Sequence, residues 1–227
     1  MTTRTLSKPP VHDAVPGGGP PRAWSRDATL AGLLLSLAGV VILVGFITAE
    51  ALYPGVYTTH TNTVSHLAAS EPPASVVLQP SAAIFNLTMG VTGTMILAGA
   101  WFAARALGRR AVLVPTALLG LGCVGVGVFP LTHPDPHTLF ALIAFLAGGV
   151  AMIVSSRVAA APFRQLWALL GAVALAATAV GVLFLEWAPV AALGEGGIER
   201  WIVYPIVLWL VAFGSYLLAA AAGQRAG

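Results

Sequence analysis

The chain has 227 residues, of which 58% are apolar and only 8% charged, and its net charge is +3. A soluble domain carries about 25% charged and 45–50% apolar residues, so a soluble globule, a disordered chain and a collagen-like chain are all excluded. The basic residues lie in short clusters beside apolar runs rather than in a stripe interleaved with aromatics, which points to the lipid bilayer as partner and away from nucleic acid.

Taken in chain order, residues 1–27 are polar, with Pro9-Pro10 and Gly17-Gly18-Gly19-Pro20-Pro21, and read as a disordered tail. Six charge-free apolar runs follow, at about 28–49, 81–104, 111–131, 138–156, 165–185 and 201–222. Each meets or approaches the roughly 20 residues that a helix needs to cross a hydrocarbon core about 30 Å thick. The runs are continuous rather than alternating, which excludes a barrel. The expectation is an all-α membrane protein: a six-transmembrane-helix bundle over 28–222, followed by a short tail, 223–227. Ala49-Glu50-Ala51 resembles a signal-peptidase site, but the run before it exceeds a signal core of about 7–15 residues and reads as an uncleaved helix. Gly120, Gly122, Gly125 and Gly127 offer the third helix a small-residue surface for close packing. Pro136 marks the start of the fourth helix, and Pro205 falls in the first turn of the sixth, where a missing N–H costs little. The lone Cys123 allows no intrachain disulfide.

The basic residues set an orientation. Arg4, Lys8, Arg22 and Arg26 precede the first helix, Arg105, Arg109 and Arg110 follow the second, Arg157 and Arg164 separate the fourth and fifth, and Arg225 follows the sixth. These share one side of a six-helix chain, leaving only Arg200 on the other, so both termini are expected in the cytoplasm, with the protein in the inner (plasma) membrane. His60, His66, His133 and His137 then fall outside, together with Glu50, Glu71, Asp135, Glu186, Glu195 and Glu199.

The connection after the first helix is the longest. Tyr53 and Tyr57 suit the interfacial aromatic belt, and Asn62, Ser65 and His66 could share one short surface helix, or simply cap and turn the chain. Asn86, five residues into the second helix, carries an amide that wants a partner and is expected to face the bundle. In the segment Phe129 to His137, Pro134 and Pro136 argue against a helix running through His133 and His137, and Asp135 is expected to cap the fourth helix. The segment Gly196 to Arg200 before the sixth helix is expected to seat an i, i+1 charge pair or to pin an outer loop, Arg200 having Glu195, Glu199 and Asp135 as candidate partners.

In order and spacing these landmarks resemble the bacterial six-helix family known as "domain of unknown function 998". The residues that carry the resemblance are Asn62-Thr63-Val64-Ser65-His66-Leu67, Ile84-Phe85-Asn86, Gly127-Val128-Phe129-Pro130 with Asp135 and His137, and Gly196 to Arg200. His66 and Ala68 stand where the family pattern usually has Asp and Gly. The resemblance implies a fold and no established activity.

Two functional readings compete with a third. In the leading one the protein is non-enzymatic, and Asn62, Ser65, His66, Asn86, Asp135, His137, Glu199 and Arg200 form an outer-facing pocket for a lipid head group or small polar ligand, without a cofactor. In the alternative, three of His60, His66, His133 and His137, or two with Asp135, hold Zn²⁺, and Glu71 or Glu199 acts as general base in hydrolysis of an outer-leaflet lipid. In the third the outer loops dock another membrane protein.

Overall fold

The six apolar runs become helices whose ends are set largely by proline and glycine. The computed structural model describes residues 22–70, 74–184 and 187–223. Helix α1 spans Arg22–Ala51, α2 Ser81–Leu107, α3 Arg110–Val128, α4 Pro134–Ser156, α5 Phe163–Leu183, the short α6 Ala188–Ala191, and α7 Gly194–Gly223. A single 3-10 turn, Val64–Leu67, interrupts the loop between α1 and α2, and no strand occurs among the described residues. The six long helices all have the length and apolar composition to cross a membrane. The first part of the expected N-terminal tail, residues 224–227, Glu71 and Glu186 lie outside the described residues.

Three helix starts differ from the sequence expectation. Helix α1 already begins at Arg22, inside the stretch read as tail, and Asp27 in its second turn accepts the Nε–H of Arg105 at 2.9 Å. Helix α4 begins at Pro134 and includes both prolines and His137. The first N–H groups of any helix lack an intrahelical acceptor, so prolines there forfeit nothing. Helix α7 begins at Gly194 rather than near residue 201, so Pro205 is interior to it and leaves the carbonyl of Trp201 without its usual helical donor. Helix α2 stops at Gly108, whose φ of 61° is the left-handed conformation that glycine adopts without strain.

Each long helix packs on its neighbours in sequence and α7 returns to α1, so the bundle closes into a ring. In a bilayer, close approach through small residues drives such contacts more than hydrophobicity does. Gly93 of α2 and Gly120 of α3 face each other so tightly that a Cβ on either would sit 2.7–2.8 Å from the other's carbonyl oxygen. Gly122 and Gly125 make comparable room for Ala144 and for the ring of Phe140 on α4. Helices α1, α2, α3, α4 and α7 surround the centre of the ring, and α5 sits outside against α4 and α7. Phe46 stacks on Phe85 near the loop end of the bundle, while Trp167, Trp209 and Phe213 interlock where α5 meets α7.

Candidate functional site

The polar chemistry gathers where the α1–α2 loop folds over the ring. Leu67 and Val64 of the 3-10 turn are buried against the core, which seats the turn in the mouth of the ring. The carbonyl of Leu67 accepts the Ser81 hydroxyl at 3.0 Å and ties the turn to α2. From α7, Glu199 accepts the backbone N–H of Val64 with one carboxyl oxygen and holds the other 3.3 Å from the hydroxyl of Ser65. From α4, His137 places Nε2 3.0 Å from Ser65 Oγ. Its other nitrogen, Nδ1, lies 2.7 Å from the carbonyl oxygen of Phe129. A carbonyl can only accept, so Nδ1 carries a hydrogen, and the ring is locked with Nε2 toward the serine. Ser65 and His137 are 7% and 3% exposed, so this chain of contacts is shielded from bulk solvent.

Arg200 forms a second node one residue further along α7. One of its terminal nitrogens donates to the carbonyls of Thr59, Asn62 and Gly196 at 3.1, 2.9 and 2.8 Å, and the other donates to the Tyr57 hydroxyl at 2.8 Å. The guanidinium also lies 5.7 Å from the centre of the Tyr57 ring, within cation–π range. Burial pushes the Tyr57 phenol up to about 12, against the opposing pull of Arg200. Arg200 is 9% exposed, its Nε has no hydrogen-bond partner, and no described carboxylate lies within 4 Å of it. A buried cation normally has a counter-charge; Glu199 attracts this one from beyond contact distance, and the guanidinium also borders a groove. The groove, about 740 Å³, runs between α5 and α7 from Thr59, His60 and Arg200 down to Leu169 and Leu208, passing Tyr204.

The remaining candidates are dispersed or structural. Asn62 accepts the Thr58 N–H at 2.9 Å, and His66 Nδ1 accepts the Thr63 N–H at 3.1 Å, so both organise the loop. Asp135 sits exposed in the first turn of α4, where it complements the helix dipole but makes no capping hydrogen bond. Asn86 lies on the other side of α2, in a shallow surface groove with Leu87, Gly90 and Thr94, its Oδ1 unpartnered. His60 leans on the Ala192 carbonyl and His133 on the Thr132 hydroxyl. Among the described residues no three His, Cys, Asp or Glu side chains are close enough to hold a metal ion. Sequence reasoning missed Tyr57 as an arginine partner, the backbone acceptors at Phe129 and Thr59, and Gly194. A Cβ on Gly194 or Gly196 would overlap the carbonyls of His60 or Asn62, so these two glycines let the loop lie on α7. The run Gly194–Gly197 was the available signal.

With this geometry in view, the family model described as "Protein of unknown function (DUF998)" is found to match residues 36–216, nearly the whole ring from α1 to α7. The chain belongs to the DUF998 family. Neither a curated protein nor a solved structure matches it. The matched span includes both nodes, so Ser65, His137, Glu199 and Arg200 all lie inside the DUF998 region.

Proposed function

We propose that this protein binds a lipid, or a lipid-like amphiphile, with an anionic head group in the groove between α5 and α7, with the loop end of the bundle on the outer face of the plasma membrane and both termini in the cytoplasm. The orientation rests on the distribution of Arg and Lys along the chain. The observation that carries the binding reading is Arg200. It is a largely buried guanidinium with an unpartnered Nε and no carboxylate within 4 Å among the described residues, set in the wall of an otherwise mostly apolar groove. An anionic head group at Arg200, beside His60 and Tyr204, gives the guanidinium the contact ion pair that Glu199, beyond 4 Å, does not make. The acyl chain then follows Leu170 and Val173 of α5 and Leu208 of α7 toward the bilayer centre. Trp201 and Tyr204 are 55% and 39% exposed at the same level, as interfacial anchors are.

Native mass spectrometry from mild detergent, with phosphatidylglycerol and phosphatidylcholine offered at equal concentration, tests this. One phosphatidylglycerol per chain is expected, retained over phosphatidylcholine and lost in Val173→Trp, which fills the groove without touching the bonds of Arg200. Equal retention of the two lipids, or retention unchanged in Val173→Trp, would overturn the reading.

A further inference from the structure

The ring encloses a second space that the lipid groove does not use. It is a slender internal slot of about 50 Å³, walled by Phe46, Phe85, Met89, Leu119, Ile206 and Leu210 among others. That volume is well below the roughly 150 Å³ of a cavity that admits benzene, so the slot suits a short acyl group. Among the described residues, Ser65 and Glu199 are the only hydroxyl-bearing or charged side chains in its lining, and both lie at the loop end. A serine at one end of a small apolar slot, with a histidine nitrogen 3.0 Å from it, is the arrangement of an activated nucleophile with its base beside a small acyl pocket.

Hydrogen-bond accounting constrains the protons. Nδ1 of His137 donates to Phe129, and Ser65 has one hydrogen to offer either Nε2 or Glu199. If Ser65 gives its hydrogen to one of these two partners, both contacts of its Oγ can be hydrogen bonds in only two ways. Either Glu199 is protonated and donates to Ser65, which donates to His137, or His137 is protonated at both nitrogens, Ser65 donates to Glu199, and Glu199 is ionised. The two forms contain the same number of hydrogens and interconvert by shifting two of them along the chain. One proton is therefore held jointly by Glu199 and His137, with Ser65 between them.

We propose that Ser65 is the nucleophile of an acyl-ester hydrolase site, with His137 as its general base, Glu199 as the acid for the leaving oxygen, and a short-chain acyl ester as substrate, its acyl group in the slot. Ser65 Oγ attacks the ester carbonyl as its hydrogen passes to His137 Nε2; the C–O bond to the alcohol breaks, and the alcohol leaves with the proton of Glu199. Water then attacks the acyl-serine and gives a proton to the Glu199 carboxylate. Ser65 recovers its hydrogen from His137, and the short-chain acid departs. Each half-reaction ends with the one shared proton still on the pair, as the resting hydrogen bonds require. This goes beyond the lipid-binding reading and uses a different cavity, so either can fail alone.

The test uses the full chain in mild detergent with a short-chain alkyl fluorophosphonate, in which the serine oxygen displaces fluoride from phosphorus. Peptide mass spectrometry is expected to find a single adduct, on Ser65, absent in Ser65→Ala. In His137→Gln the labelling rate should fall about 100-fold or more, the usual contribution of a general base. Because either variant could misfold, the wild-type rate is also measured in heavy water, where transfer to His137 should slow it. No adduct on the folded wild-type chain, an adduct elsewhere, or a rate indifferent both to heavy water and to a folded His137→Gln chain would overturn the proposal. Phosphatidylglycerol retention in the groove is read separately and does not enter this result.

Discussion

The guanidinium of Arg200 donates to the hydroxyl of Tyr57 at 2.8 Å while lying 5.7 Å from the centre of the same ring. The tyrosine is thus held by its edge and its face at once, and its hydroxyl passes a further hydrogen bond to the Thr63 carbonyl at 3.0 Å. This contact anchors the loop that carries the 3-10 turn. Tyr57→Phe keeps the ring and removes both hydrogen bonds, one of them to a charged group, so a loss of about 2–3 kcal/mol is expected. Tyr57→Leu, which also removes the ring, should cost more. Reversible unfolding in mixed micelles, followed by circular dichroism, measures both; equal losses would show that the ring face contributes nothing.

The same tyrosine should give the loop a high-pH limit. Its phenol is pushed up to about 12 from an ordinary value of 10, chiefly by burial. A group whose folded-state pKa is raised stabilises the fold fully below its unfolded value, and that stability is lost as pH rises through the folded value. Stability from Tyr57 is therefore complete below pH 10 and disappears toward pH 12. Tyrosinate absorbance should show one late-titrating phenol, absent in Tyr57→Phe, and protease cleavage near Thr58–Thr61 should rise over the same pH range.

Gly196 and Gly197 make an internal control. A Cβ on Gly196 would stand 2.2 Å from the Asn62 carbonyl oxygen and 2.6 Å from that of Thr59, both backbone atoms that cannot rotate away. On Gly197 it would meet only Leu193 Cβ, at 3.4 Å. Gly196→Ala should displace the loop and cost about 2 kcal/mol or more. Gly197→Ala should be neutral or slightly stabilising, because alanine is the better helix former. Thermal unfolding of the two variants side by side decides this.

At the opposite end, Arg105 and Asp27 join α2 to α1 across 2.9 Å, but the arginine side chain is 55% exposed. Arg105→Ala should therefore cost about 1 kcal/mol or less, and the loss should shrink in high salt. A larger, salt-independent loss in the same unfolding assay would mean that the arginine stem, not its charge, holds the helices.

The six spans were legible because a run of about 20 apolar residues has few fates other than a membrane helix. Their starts were less so. Pro134, Pro136 and Gly194–Gly197 are residues of loops by intrinsic preference, yet a first helical turn needs none of its own N–H groups and tolerates proline. Ser65, His137 and Glu199 stood out as polar residues at one end of the bundle, and the family resemblance passed through each of their segments. Which of the polar residues meet depends on how each helix is rotated about its axis. That rotation separates Asn86 and Asp135 from the others, and the helices' hydrophobic patterns, nearly uniform around the axis, do not encode it. Tyr57 read as a belt residue because an interfacial tyrosine and a buried arginine ligand have the same composition around them. The backbone acceptors at Phe129, Thr59 and Asn62 have no side-chain signature, so a reading based on residue types passes over them.

The cap on the ring joins residues made at very different times. Val64 is held by Glu199 across 135 residues, and Thr59 by Arg200 across 141. At roughly 5–20 residues per second, a ribosome needs about 7–28 s to reach α7 after finishing the loop. Over that interval α2 to α5 are made and inserted in turn, with the mouth of the ring unsealed and the Thr59–Leu67 backbone short of its final donors and acceptors. The seal on the centre of the bundle is thus set by α7, which is made after the other helices of the ring. A chain stopped before Gly194 would carry Ser65 and His137 but would lack the wall against which the turn closes.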